Sequence, residues 1–156
     1  MSGAGSPKLE VDASGLTVVI VASSWHETVM DGLIASAQRE CDRTGASHRL
    51  IRVPGCFELP IVAQEIATQT GVDAVVCLGV IIRGGTPHFD FVANAATDGL
   101  TRVALDTRTP IGFGVLTCDN EQQALDRAGL PGSPEDKGLE ATSAALAAAL
   151  VLRGMR

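Results

Sequence analysis

Aromatic residues are scarce in this 156-residue chain, which contains one Trp, four Phe and no Tyr. Cysteines are also few. The four of them include no Cys-x-x-Cys pair, so the sequence indicates neither a zinc site nor a disulfide framework. Basic residues are not in surplus either. The net charge of −6 and the pI near 4.9 argue against the basic surface that nucleic-acid binding requires.

Several familiar segments are missing as well. No basic-then-apolar signal segment opens the chain, and we expect no apolar run long enough to span a membrane. We therefore expect a reduced, cytoplasmic protein.

The common nucleotide-binding motifs are absent from the sequence. The first apolar run is not followed by Gly-x-Gly-x-x-Gly, and no phosphate loop ending in Gly-Lys-Ser/Thr occurs, which excludes the standard nucleotide-binding sites.

What is present favours one globular domain. The chain is 46% hydrophobic and 19% charged, and its length suffices for a real core. Residues 1–15 are rich in Gly, Ser, Pro and charge, and we predict a flexible N-terminal arm with no core of its own. Residues 16–156 are predicted to form a single domain.

Short apolar runs alternate with segments of helical character along this domain. The predicted strands are Leu16–Ala22, His48–Val53, Ala74–Ile82 and Ile111–Leu116. The predicted helices are Thr28–Thr44, Leu59–Thr70, one from the Thr86 cap and Pro87 to Thr107, Asn120–Ala128, and one from Ser133 to the end. This order predicts an α/β fold: a three-layer α/β/α sandwich around a four-stranded, mainly parallel, flavodoxin-like sheet.

Ligands of such sheets bind at the carboxyl ends of the strands. We expect all five aromatic residues to lie in or beside these exits; they are Trp25, Phe57, Phe89, Phe91 and Phe113. They could form the walls of a pocket for a flat ligand, or they could simply pack beneath the loops of a small protein. Both interpretations stay open on ring placement alone.

The third predicted strand opens into Arg83-Gly84-Gly85-Thr86-Pro87-His88. Glycines let the backbone approach an anion, and the N–H groups of the following helix favour phosphate; an ordinary capped helix start is the alternative. A helix N-terminus disfavours the imidazolium of His88 whereas a bound phosphate favours it, so His88 is a candidate for proton transfer. Glu58 is either a helix-terminal charge or an acceptor for ligand hydroxyls, and His26 is interpreted as structural.

Three stretches together closely resemble the lumazine synthase family. They are Ile82-Arg83-Gly84-x-Thr86-x-His88-Phe89-Asp90, Gly55-x-Phe57-Glu58-Leu59-Pro60, and Gln123-Ala124-Leu125-x-Arg127-Ala128-Gly129 followed by Asp136-Lys137-Gly138. The likeness runs from Leu16 to about Leu152. It implies condensation of a ribitylamino-aminouracil with 3,4-dihydroxy-2-butanone 4-phosphate, the penultimate step of riboflavin biosynthesis, without a metal or redox cofactor. Functional coupling to riboflavin synthase is a further expectation.

The resemblance also implies roles for individual residues. Trp25 is expected to stack on the pyrimidine, which backbone groups of Val80, Ile81 and Ile82 would line. The segment expected to hold the ribityl chain is Cys56, Phe57 and Glu58. Cys56 departs from the family, which usually carries a small, alanine-like residue there.

The resemblance places phosphate against Gly85 and Thr86, with Arg127 as a second anchor. His88 is implied as the proton-transfer residue and Lys137 as a nearby cation. Residue 85 departs from the family, in which larger residues are common, so only its backbone can help. Phe113 is expected to close the pocket of a neighbouring subunit.

The implied assembly is a homopentamer with active sites between subunits, and pairing into a decamer stays open. The loop from Gly129 to Asp136 contains two prolines, which is typical of members that stop at the pentamer and do not form a shell. We expect the arm to add a strand along a neighbour's sheet edge. The rival functions are a non-catalytic flavin- or lumazine-binding or shell-forming relative and an FMN-binding module; the presence of Glu58, Thr86, His88 and Arg127 argues against them.

Overall fold

Strands and helices alternate along the computed structural model, which describes residues 4–156; residues 1–3 of the predicted arm lie outside the described residues. The strands are β1 Thr17–Ala22, β2 Ser47–Arg52, β3 Ala74–Ile82 and β4 Ile111–Cys118. The helices are α1 Glu27–Thr44, α2 Leu59–Ala67, α3 His88–Thr107, α4 Glu121–Leu125 and α5 Lys137–Met155, with a short 3₁₀ turn at Cys56–Glu58.

The four strands form one sheet in the order β2-β1-β3-β4, and every neighbouring pair is parallel. Helices α1, α4 and α5 cover one face and α2 and α3 cover the other. Successive residues of β3 point to opposite faces, so Val76 and Leu78 enter one core and Val75 and Cys77 the other. The predicted α/β sandwich with a four-stranded parallel sheet is confirmed.

Two predicted helix starts are wrong. Helix α3 begins at His88 with Pro87 in the N-cap position and without a side-chain cap, so Thr86 does not cap it. Helix α5 begins at Lys137, because the side chain of Asp136 accepts the Leu139 N–H at 3.0 Å. The residues before Asp136 instead belong to a turn, in which the Glu135 N–H donates to the Asp126 carbonyl.

Two predicted helix ends lie too far along the chain. Helix α2 ends at Ala67 rather than Thr70, and α4 ends at Leu125 rather than Ala128. Ala128 leaves the helix because it forms an antiparallel bridge with Asp136. That bridge joins residues distant in sequence, which local helical periodicity does not report.

Part of the predicted arm packs against its own domain. Ala13 is fully buried in the core under α1, and its N–H donates to the Thr44 carbonyl at 2.8 Å. Val11 packs against the same core, whereas residues 4–8 are exposed. The segment adjoining β1 thus has core contacts that its composition did not predict.

Helix α5 is long and apolar enough to cross a membrane by length and composition, with a mean hydropathy of 1.2. The expectation that no segment reaches that threshold is therefore wrong, because many alanines raise the hydropathy of this helix. In the structure α5 packs against α1, β3 and β4 and fully buries Thr142 and Leu146. We interpret it as a core helix.

A buried charge connects α5 to α1. Ser143 donates a hydrogen bond of 2.6 Å to Glu40, and Arg43 makes a salt bridge of 2.7 Å with the same carboxylate. Burial by itself raises the pKa of Glu40, but the hydrogen bonds from Arg43 and Ser143 outweigh it, so the pKa lies below its usual value. The carboxylate is therefore kept ionised and paired.

Helices α1 and α5 also approach closely at Gly138, where a methyl group would overlap the Leu33 carbonyl. We expect Gly138→Ala to lower the free energy of unfolding by roughly 1–3 kcal/mol, because a rigid backbone must move. Gly154→Ala is the matched control in the same helix, since nothing lies near its added methyl group. The control should be neutral or slightly stabilising. Equal effects of the two variants in denaturant unfolding at fixed protein concentration would contradict this packing.

Candidate active site

The end of β3 extends beyond its neighbour β1. The pairing of β1 with β3 stops at Ala22 and Leu78, whereas β4 pairs with β3 as far as Ile82. The Leu78 carbonyl accepts the Ser23 N–H and so faces β1. Since main-chain groups alternate in direction along a strand, those of Val80 and Ile82 face the same side, where no strand of residues 4–156 pairs with them. The Cys56 thiol donates to the Val80 carbonyl, and the remaining polar groups of this segment form an unpaired backbone edge, the open edge of β3.

The exits of β1 and β2 build a wall beside this edge. Trp25 is 67% exposed, and its indole Nε1 lies 3.4 Å from the position of a methyl group added to Gly55. A carboxylate oxygen of Glu58 lies 3.2 Å from the same position. Phe57 is exposed next to them. A flat ring, a carboxylate and an open strand end are therefore neighbours.

Glu58 has a local structural role. Its Oε2 accepts the Gly55 N–H at 2.9 Å, which fixes the turn between β2 and α2. The interpretation as a helix-terminal charge is thus correct for this oxygen. A carboxylate has further lone pairs, so a ligand hydroxyl can still bind to it.

His26 turns the chain between β1 and α1. It has φ of 61° in the left-handed region and occupies the N-cap position of α1, where its carbonyl accepts the Met30 N–H. Left-handed backbone is uncommon for residues other than glycine. The structural role predicted for His26 is therefore to hold the left-handed turn that leads into α1.

Cys56 forms part of the floor of the site. Its side chain is buried, and the sulfur lies 3.8 Å from the Val80 carbonyl and 3.9 Å from the Ser23 hydroxyl. Burial raises the pKa of the Cys56 thiol, so it stays protonated near neutrality. Its effect on the site is therefore one of shape and polarity, not of nucleophilic attack.

The turn after β3 is open to solvent. Gly84, Gly85, Thr86 and His88 are all exposed. No atom of residues 4–156 lies within 4 Å of a methyl group added to either glycine. The fold itself does not demand glycine at these positions, so the space before the turn remains for a ligand. Because no side chain caps α3, the N–H groups at its start can bind an anion.

Phe113 lies away from these exits. It is the third residue of β4 and pairs with Cys77, about 13 Å along the strand from the level of Ile81. It is 46% exposed on an edge strand. The expectation that all five aromatic residues lie in or beside the strand exits is therefore wrong for Phe113.

The two cations predicted for the site lie together on the other face of the sheet from α3. Arg127 donates to the Gln123 carbonyl at 2.8 Å and pairs with Glu135 at 3.3 Å. Lys137 pairs with Glu140 at 2.8 Å and is 3.9 Å from Glu135. These contacts join Arg127 to α4 and to the loop before α5, and none of them involves Gly85 or Thr86.

Within residues 4–156, no group of three His, Cys, Asp or Glu side chains could hold a metal ion. Two cavities of this part of the chain lie away from the strand exits. One of about 570 Å³ separates residues 6–10 from α1 and α5, and one of about 350 Å³ lies at the amino-terminal end of the sheet. The candidate site itself is an open surface.

Comparison with known proteins identifies the origin of this arrangement. The model of the 6,7-dimethyl-8-ribityllumazine synthase family matches residues 15–153. The chain belongs to that family. The resemblance inferred from the sequence motifs is confirmed, and the chain is an enzyme of the transferase class.

Curated relatives match over nearly their whole length. The 6,7-dimethyl-8-ribityllumazine synthase of Leifsonia xyli subsp. xyli is 63% identical over 158 residues, covering 100% of this chain and 99% of that protein. That of Nocardioides sp. is 64% identical over 155 residues, covering 98% of this chain and 96% of the relative. That of Kineococcus radiotolerans is 60% identical over 156 residues, covering 99% and 96%.

Sequence reasoning gave no role to Gly79, Ser23 or the side chain of Arg83 in this synthase-family site. Gly79 lies in β3 where a methyl group would overlap the Cys56 sulfur, and the Ser23 hydroxyl lies 3.3 Å from the same point. A glycine inside an apolar strand often marks a place where another part of the protein comes close to the strand, so the role of Gly79 could have been predicted from the sequence. Arg83 was visible only as part of a motif, and its contacts depend on the tertiary structure.

We expect Gly79→Ala to destabilise the protein by roughly 1–3 kcal/mol, because the buried Cys56 side chain must move. Removing the sulfur should relieve the overlap, so Gly79→Ala should cost much less in a Cys56→Ala background. The measurement is a double-mutant cycle from denaturant unfolding, with Cys56→Ala alone as the reference. Equal costs in both backgrounds would show that the sulfur does not limit residue 79.

Proposed function

We propose that this enzyme condenses 5-amino-6-(D-ribitylamino)uracil with 3,4-dihydroxy-2-butanone 4-phosphate to form 6,7-dimethyl-8-ribityllumazine, releasing phosphate and water in riboflavin biosynthesis. One observation carries the proposal. The open edge of β3 and the anion-binding turn belong to one continuous segment, Val80–His88, so two different substrates can lie side by side. The names of the family and of its relatives support the product.

The pyrimidine would lie against the open edge of β3. Val80 and Ile82 offer it backbone donors and acceptors, and Trp25 offers a flat exposed face. Ile81 pairs with Thr117 of β4 and holds the strand in place. This division of roles follows from the alternation of main-chain groups along the strand.

The ribityl chain would extend over the turn at the β2 exit. Glu58 can accept its hydroxyls, and Phe57 provides an exposed apolar surface. Cys56 supports the turn from below. A larger residue at position 56 would meet Gly79, which limits the depth of this part of the site.

The phosphate would bind at Gly85, Thr86 and the start of α3, where N–H groups and the helix dipole favour an anion. His88, the first residue of that helix, would then be next to the reacting carbons. Imine formation, phosphate loss and dehydration each move a proton, which an imidazole can accept and return near neutrality. None of these steps transfers electrons to or from another molecule, so they require no redox partner.

We further propose that the site is completed by a neighbouring subunit in a homopentamer. Phe113 lies away from the turn of its own chain, and the contacts of Arg127 are with Gln123 and Glu135, so a neighbour's Phe113 and Arg127 can complete the site. Exposed apolar side chains on α3, Phe91 and Leu105, are suited to such an interface. Lys137, beside Arg127, would add positive charge. The arm would lie along a neighbour's edge strand.

The loop from Gly129 to Asp136 favours assembly that stops at the pentamer or a pair of pentamers. It is closed by hydrogen bonds from Gly129 to the Glu135 carbonyl and from Lys137 to the Arg127 carbonyl. Gly129 and Gly132 have positive φ, and two prolines stiffen the segment. Such a loop has little freedom to adopt the tight closure of a shell-forming relative.

Turnover of the two substrates, followed by the fluorescence of the product, tests the reaction. His88→Ala should lower kcat roughly tenfold to a hundredfold, because positioning of two reactive molecules supplies much of the catalysis. His48→Ala on edge strand β2 is the matched control and should leave kcat unchanged. A yellow protein that binds flavin or lumazine without turnover would establish a non-catalytic relative instead.

Co-expression of His88→Ala and Arg127→Ala subunits tests the shared site. If each site combines residues of two subunits, about a quarter of the interfaces in random mixtures carry both native residues, and activity rises above that of either variant alone. Light scattering should give the mass of five or ten subunits. A mixture no more active than its components, a mass near sixty subunits, or an active monomer would each contradict part of the assembly.

A further inference from the structure

Arg83 leaves β3 immediately before the anion-binding turn, and its side chain contacts three residues. Its Nε lies 3.0 Å from the Asp119 carboxylate, and its Nη1 lies 3.7 Å from Asp90. Its Cζ lies 4.2 Å from the centre of the Phe89 ring. The Arg83 N–H also donates to the Cys118 carbonyl at 2.9 Å, which keeps its backbone in register with β4.

The partners of Arg83 belong to two different parts of the site. Phe89 and Asp90 are in the first turn of α3 and directly follow His88. Asp119 follows β4 and is itself fixed, because its N–H donates to the Gln123 side chain at 2.8 Å. Arg83 therefore connects the first turn of α3 to the junction of β4 and α4, across the base of the turn that contains Gly85.

Arg83 is poorly suited to bind phosphate directly. One guanidinium between two carboxylates leaves a cluster of net negative charge, which repels an anion. The stacking on Phe89 also fixes the plane of the guanidinium. An arginine with these contacts acts on the ligand only through the groups that it holds.

We propose that Arg83 is a positioning residue, which holds the first turn of α3 against the β4–α4 junction and so sets the place of His88 and of the phosphate-binding N–H groups. This role rests on the proposed function. The ion pairs are exposed, and such pairs contribute little to stability. Small displacements of reacting groups, in contrast, can cost up to about a hundredfold in rate. The effect should therefore appear in kinetics and not in melting temperature.

Arg83→Gln, Asp119→Asn and the double variant test the proposal, with Arg102→Gln as the matched control. Arg102 makes a similar exposed pair with Asp106, at 3.2 Å, in the second half of α3. Each single variant should lower kcat and raise the KM of the phosphate substrate, reducing kcat/KM roughly tenfold. The double variant should be no worse than either single variant, and the control should match the native enzyme.

Two further readouts separate positioning from a loss of structure. Melting temperatures should stay within a few degrees of the native value. Binding of a riboflavin-like ligand, followed by quenching of the single tryptophan, should be unchanged because Trp25 and the open edge of β3 are not displaced. A general loosening of the site would weaken this binding as well and would overturn the proposal.

The outcomes distinguish a failure of the positioning role of Arg83 from a failure of the proposed reaction. If Arg83→Gln impairs the enzyme but Asp119→Asn does not, Arg83 contacts the phosphate directly and the positioning role is wrong. If neither variant changes kcat/KM, the connection has no function in catalysis. Absence of turnover in the native protein would refute the proposed reaction itself, before any variant is compared.

Discussion

The site depends on the unequal lengths of two paired strands. Strand β3 continues to Ile82 beside β4, but β1 ends opposite Leu78 and turns away at His26. The main chain beyond Leu78 is therefore supported on one side and open on the other. A backbone edge held by a neighbouring strand is rigid, and the proposed condensation needs such rigidity because it relies on positioning.

The floor beneath this edge is set by close packing. The Cys56 side chain packs directly against Gly79. Other cysteines are buried elsewhere in the core, and burial raises the pKa of the thiol to about 11 for Cys41 and about 12 for Cys77, so both stay protonated and unreactive. On the other face, α5 contacts α1 at Gly138 through backbone atoms. These contacts leave little room for the sheet to move, so changes at the site are confined to its exposed turns.

In the proposed mechanism the exposed turns carry the chemistry, and a single chain supplies them only in part. His88 and the open glycine turn lie on one side of the sheet, while Arg127 is paired with Glu135 on the other. In the proposed assembly a second subunit brings Arg127 to the turn, whereas Arg83 is proposed to act within the chain by fixing the first turn of α3. Recruitment of the phosphate and placement of the proton-transfer group would thus be separate tasks of two arginines.

The sequence by itself determined the order of strands and helices, because burial on one or two faces imposes a period that can be read locally. The motifs around His88, Glu58 and Arg127 also determined the family to which the chain belongs. The start of α5 was mispredicted at Ser133, because the contact of Asp136 with Leu139 and its bridge to Ala128 depend on the fold around them. The start of α3 was mispredicted at Thr86, because Pro87 takes the N-cap position. Only the tertiary structure decided three features. Strand β3 extends beyond the end of β1, Phe113 lies far from the carboxyl ends of the strands, and Arg83 forms an ion pair with Asp119. Strand register and contacts between distant residues depend on how the elements pack together, which no local pattern records.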